Sequence, residues 1–160
     1  MWNDMVNKHR PHAFVLPEDD ANRQLAIGFV LELTRQIYVC PVAGGWTQVL
    51  QRFLSDHAAD MGRYPNRYMV LLIDFDGNNQ RLNDATNRIP EPLRERVFIL
   101  GAWSQPEELR ASLGLSYEEI GSAMARDCRE ETAMTWEHNL LRHNAGELAR
   151  MREFVRPILF

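Results

Sequence analysis

The chain has 160 residues, 45% of them hydrophobic and 25% charged, with a net charge of −4. That length favours one domain with a real core, and the acid excess argues against a broad, non-specific binder of polyanions. No apolar run approaches the length of a membrane span, and Met1-Trp2-Asn3-Asp4 lacks the basic-then-apolar opening of a signal peptide. With Cys40 and Cys128 as the only thiols and no CxxC pair, a reducing, cytoplasmic location is expected. The first seventy residues are balanced in charge and the acidic excess lies beyond them, so any polyanion should prefer the first half.

Ala13 to Leu16 reads as a short strand ending at Pro17-Glu18-Asp19-Asp20. Asp20 is placed to cap a following helix with a broad apolar side formed by Leu25, Ile27, Phe29, Val30, Leu31 and Leu33. Gln36 to Val42 is the second expected strand. Gly44-Gly45 then opens a helix with Val49, Leu50, Phe53 and Leu54 on one side, and Gly62 to Asn66 forms a loop. Met69 to Ile73, five apolar residues in a row, reads as a strand buried on both faces of an α/β sheet. The polar stretch from Asn78 to Arg88 fits a loop or a short helix equally well. Arg96 to Gly101 is a fourth strand. Ser104-Gln105-Pro106-Glu107 and Ser116-Tyr117-Glu118-Glu119 both match the S-x-x-E capping box, and the segment from about Thr132 onward is helical by composition. The alternation of strands and helices predicts an α/β fold. Its core is a four-stranded, mostly parallel Rossmann-like sheet flanked by helices, with a helical C-terminal extension. Residues 1–160 are expected to form one domain, with a core over 13–115 and the extension over 116–160.

The chemistry concentrates after the strands. Asp74 and Asp76 follow the apolar strand at i, i+2, where strand alternation turns both to one side and Gly77 lets the backbone leave. Two carboxylates at the carboxyl end of a central strand lie where open α/β sheets place their ligands, and their repulsion asks for an oxygen-loving cation such as Mg²⁺ or Mn²⁺. A calcium loop is disfavoured because a strand, not a helix, precedes it. Glu18, at the end of the first strand, is the third expected ligand, whereas Asp19 and Asp20 suit the start of a helix. Gly44 and Gly45 sit between a strand and a helix, a place where backbone N–H groups approach phosphate. Trp46 is expected to pack on the sheet and not to stack on a base. Glu107 is assigned to capping and Glu108 is an unsupported ligand. Cys128, His138 and His143 have no zinc-finger spacing, and Ser55-Asp56-His57 are too close in sequence to form a triad.

Phe14-Val15-Leu16-Pro17-Glu18, Val39-Cys40-Pro41-Val42-Ala43-Gly44-Gly45 and Met69-Val70-Leu71-Leu72-Ile73-Asp74-Phe75-Asp76 occur in an order that resembles the TOPRIM domain. Gly101 to Leu109 is similar to the region after the fourth strand in small stand-alone TOPRIM-like proteins, many of them found beside ATPases in phage-defence loci. The resemblance spans roughly residues 13–115. It implies a nuclease in which Glu18 is the general acid or base and Asp74 and Asp76 hold Mg²⁺ or Mn²⁺. The chain departs from the family pattern at Asp19, where glycine is usual, at Pro17, at Asn22, where a second acid stands in the related nucleases, and at Trp46.

Three functions follow as expectations. The first is metal-dependent cleavage of nucleic-acid phosphodiesters by Glu18, Asp74 and Asp76. The second is a non-catalytic docking or regulatory partner of an ATPase complex, with the apolar Pro157-Ile158-Leu159-Phe160 tail as a candidate contact for a second chain. Self-association into a homo-oligomer belongs with it. The third is a haloacid-dehalogenase-type phosphatase suggested by Asp-Phe-Asp-Gly. It ranks last, because that motif normally ends the first strand and carries Thr or Val where this chain has Asn78.

Overall fold

The computed structural model describes residues 6–33 and 36–160. The Met1–Asp4 opening lies outside them. Four strands form an entirely parallel sheet in the order β2-β1-β3-β4: β1 (His12–Pro17), β2 (Ile37–Val39), β3 (Arg67–Leu72) and β4 (Val97–Leu100). The second strand is shorter than its sequence suggests: after the Cys40 N–H, which still donates to the Val15 carbonyl at 2.7 Å, the next backbone bond to β1 comes from Ala43 to Pro17. β1 and β3 pair along six residues, from His12 opposite Arg67 to Pro17 opposite Leu72. Strand alternation divides the sheet residues between two cores. Ala13, Val15, Val70, Leu72, Phe98 and Leu100 face one, and Phe14, Leu16, Met69, Leu71, Val97 and Ile99 face the other.

The first core is covered by α1 (Asp20–Leu31), α5 (Pro106–Leu113), α6 (Tyr117–Glu130) and α7 (Ala145–Phe154), with α8 (Arg156–Leu159) closing it. α1 and α6 cross closely at a glycine from each. A Cβ on Gly28 would run into the Glu118 carbonyl oxygen, and one on Gly121 into that of Leu25. This crossing sets which side of α1 is buried, so Leu31, counted on the apolar side from sequence, is 72% exposed. α7 lies along the open edge of β4. Glu147 accepts the Ile99 N–H at 2.8 Å, and the Arg150 guanidinium donates to the Val97 carbonyl at 3.3 Å. These bonds satisfy edge groups that would otherwise invite another strand.

The second core lies under α2 (Trp46–Arg52), a π-helical turn over Phe53–His57, α3 (Ala58–Arg63) and α4 (Arg81–Arg88). α3 carries helix into the expected Gly62–Asn66 loop, and α4 resolves the Asn78–Arg88 stretch as helix. The π turn shifts the helical register, so Phe53 stays buried while Leu54 is turned outward.

Helix starts follow local chemistry. Ser116 and Glu119 form the expected capping box at α6. The box expected at Ser104 does not form: Gln105 precedes α5 with Pro106 in its first turn, and the Ser104 hydroxyl bonds Glu108 instead, at 2.7 Å. Residues 132–141 are turns where helix was expected. The Asp127 carboxylate accepts from the Thr132 hydroxyl at 2.8 Å and the Thr135 N–H at 2.6 Å, which competes with helical pairing. Trp136 anchors the turns by donating its indole N–H to the Met124 carbonyl at 3.0 Å. No helix among the described residues is long and apolar enough to cross a membrane.

Candidate functional site

The order β2-β1-β3-β4 reverses direction between β1 and β3, and the carboxyl ends of those two strands flank the crevice where doubly wound sheets bind ligands. Glu18 continues β1 by donating its N–H to the Leu72 carbonyl at 2.9 Å. Its carboxylate reaches across and accepts the Asp74 N–H at 2.6 Å. The first and third strands therefore bring Glu18 and Asp74 together, as their positions in sequence lead one to expect.

Asp76 behaves differently. The extended path runs through Ile73 and Phe75, which pair with Leu100 and Ala102, and then stops. Asp76 takes a left-handed conformation at φ 51, followed by Gly77 at φ 68. The alternation that would have set the two aspartates side by side ends before the second one. Asp74 is only 7% exposed, whereas the Asp76 side chain is 46% exposed.

Two residues that periodicity does not reveal organise this rim. Asn22, fully buried on α1, donates its side-chain amide to Asp19 at 3.0 Å and to Asp74 at 2.9 Å. Asp19, not Asp20, is the N-cap of α1, accepting the Asn22 backbone N–H at 3.0 Å. Arg81 on α4 donates one guanidinium nitrogen to the Asp76 carboxylate at 2.8 Å and to the Asp74 carbonyl at 2.9 Å. The other face of that guanidinium lies 4.3 Å above the Trp46 ring, with Arg88 also over the ring at 5.3 Å. Trp46 thus packs, and it does so as a platform for cations.

Protonation follows from this enclosure. Burial pushes the Asp74 carboxyl up to about 7; the Asn22 bond opposes the shift, while the charges of Glu18, Asp19 and Asp76 add to it. Burial also raises Glu18, against the pull of the Asp74 N–H and with help from Asp19 and Asp76. His143 packs its ring edge-on to Phe75 at 4.7 Å and beside Trp103 at 5.3 Å. Burial lowers its pKa.

The remaining sequence candidates fall elsewhere. The Gly44 N–H is taken by the Glu18 carbonyl at 2.8 Å, so the glycine turn spends a donor in bracing β1. Gly45 stands as the N-cap of α2. Cys128 is buried in α6, and His138 shares a hydrogen bond of 2.9 Å with the Ser112 hydroxyl. The Ser55 hydroxyl bonds its neighbour Asp56 at 3.0 Å, and His57 stands edge-on to Phe14. Among the described residues no group of three or more His, Cys, Asp or Glu side chains is placed to hold a metal ion. One Glu18 oxygen, one Asp74 oxygen and one Asp76 oxygen accept hydrogen bonds in this arrangement, and Arg81 supplies a positive charge at Asp76. Comparison with protein-family models, with curated proteins and with solved structures finds no match.

Proposed function

We propose that the chain is a non-catalytic, TOPRIM-like regulatory or docking module whose acidic crevice is held closed by an internal cation, with an ATPase as the class of partner the resemblance suggests. The observation that carries this reading is Arg81: it joins the Asp76 carboxylate to the Asp74 backbone while stacked on Trp46. A guanidinium in that position does for the Asp76 carboxylate what a bound cation would do, and its aromatic platform keeps it there. Asn22 supports the same reading, because it stands where related nucleases carry an acid and gives Asp74 a neutral donor.

A second reading is a Mg²⁺- or Mn²⁺-dependent nuclease acting on DNA or RNA. The meeting of Glu18 and Asp74 at the switch point between β1 and β3 favours it. In that case Arg81 would have to release Asp76 before the acids closed on a metal.

Calorimetric titration with Mg²⁺ and Mn²⁺ separates the two. The closed-crevice reading expects weak or no binding to the wild type and tighter binding to Arg81→Gln, which frees Asp76. Removing one partly exposed ion pair corresponds to roughly 1 kcal/mol, or about fivefold in affinity. Wild-type protein that binds either ion tightly, with no gain in Arg81→Gln, would exclude the internal-cation account.

A further inference from the structure

A second concave site lies on the other side of β1 from α1, and none of Glu18, Asp74 and Asp76 lines it. It is a cavity of about 310 Å³ between the Phe14, Leu16 and Tyr38 side chains of the sheet and the helical layer of Arg52, Asp56 and Asp60. Arg67, the first residue of β3, forms part of its wall and is 2% exposed.

The surroundings of Arg67 fix its orientation. The His12 Nδ1–H donates to the Arg10 carbonyl at 2.8 Å, which leaves Nε2 as the acceptor for the Arg67 Nε–H at 3.0 Å. Burial lowers the His12 pKa, in keeping with a neutral ring. The guanidinium lies over two aromatic rings, 4.0 Å from the Phe14 centroid and 4.9 Å from that of Tyr64. Its nearest carboxylate, Asp60, stands at 3.8 Å, beyond hydrogen-bond reach. Among the described residues the Nε bond is the only hydrogen bond this side chain makes; Asp60 balances its charge as an ion pair, and its terminal nitrogens keep contact with solvent and are free to bond a ligand in the cavity.

We propose that this cavity binds a small apolar monocarboxylate, its carboxylate forked onto the Arg67 terminal nitrogens and its body against Phe14, Leu16 and Tyr38. The charge balance selects one negative charge. Lys8, Arg52 and Arg67 face Asp56 and Asp60 around the cavity, a net of one positive. Phosphate as a dianion, or a dicarboxylate, would bring a second charge against the two aspartates. The planar fork of arginine matches a carboxylate through two parallel bonds, which a lysine cannot copy. The π-helical turn Phe53–His57 contributes Asp56 and His57 to the wall, and such turns gather at functional sites.

Benzoate is the probe, with benzyl alcohol as the same body without the charge. Titration of the full chain, followed by calorimetry and by NMR shifts, should show saturable benzoate binding in the millimolar range or tighter, and none for benzyl alcohol. Arg67→Lys should weaken benzoate about tenfold. Because Arg67 is buried, the exposed changes Arg52→Gln and Asp56→Asn provide an independent pair on a folded protein. The first should weaken benzoate and the second strengthen it. No saturable benzoate binding, equal binding of benzyl alcohol, or benzoate affinity unchanged in both exposed variants would overturn the assignment.

Discussion

Replacing Asp74 with asparagine is expected to stabilise the protein well above neutral pH by roughly 2–4 kcal/mol. The folded chain holds the Asp74 carboxyl at about 7 against an ordinary 3.8, chiefly because burial disfavours its charged form. An acid raised in this way binds its proton more tightly in the folded state than in the unfolded one. Its contribution is fully favourable below the unfolded value and is lost as pH climbs from about 4 through about 7. Above that window the folded protein carries a buried charge among three other carboxylates. Asparagine keeps an oxygen for the Asn22 amide at the position of the 2.9 Å bond and has nothing to ionise. Urea unfolding at acid and alkaline pH should therefore show wild-type stability falling across the window and a flatter profile for Asp74→Asn. Some slope should persist in the variant, because Glu18 is raised in the same direction. A variant less stable than wild type at alkaline pH would mean that the native fold welcomes the Asp74 charge.

Gly101→Ala is expected to cost about 3 kcal/mol or more in unfolding free energy, measured by urea denaturation. A Cβ there would strike the Ile73 carbonyl oxygen, a backbone atom that cannot swing aside as a side chain can. Gly101 is also bracketed by the buried Asn144, whose side chain accepts the Gly101 N–H at 3.2 Å and donates to its carbonyl at 3.0 Å. Relief of the clash would have to move β3 from β4 or break this bracket. Ile73 immediately precedes Asp74, so the strain would also reach the crevice. A loss below about 1 kcal/mol would show that the end of β4 relaxes freely.

How much of this was legible beforehand depended on whether a feature was written locally. Met69 to Ile73 carries its own signature, since a run of only five apolar residues closed by Asp74-Phe75-Asp76-Gly77 has the length of a strand covered on both faces and is too short for a buried helix. The Ser116 capping box is equally local. Leu54 and Leu31 were misplaced because a π turn and a glycine-mediated helix crossing re-aim whole faces, and periodicity alone assumes an unbroken helix under a neutral neighbour. The turns over residues 132–141 escaped because Asp127 competes for backbone donors from outside the segment. Within the site, Glu18 and Asp74 could be paired from strand order. Arg81 could not: its role comes from Trp46, thirty-five positions earlier, and from a left-handed Asp76 that ends the alternation. Asn22 was visible only as a missing acid, although its amide ties α1 to β3.

On the proposed reading, Arg81 and Asn22 satisfy this acidic rim from within and the rim carries no phosphodiester chemistry. The most direct measurement incubates the protein with Mg²⁺ or Mn²⁺ and labelled single- and double-stranded DNA and RNA, beside Asp74→Ala. The account predicts no cleavage by the wild type above the level of the variant; metal-dependent cleavage that Asp74→Ala abolishes would contradict it.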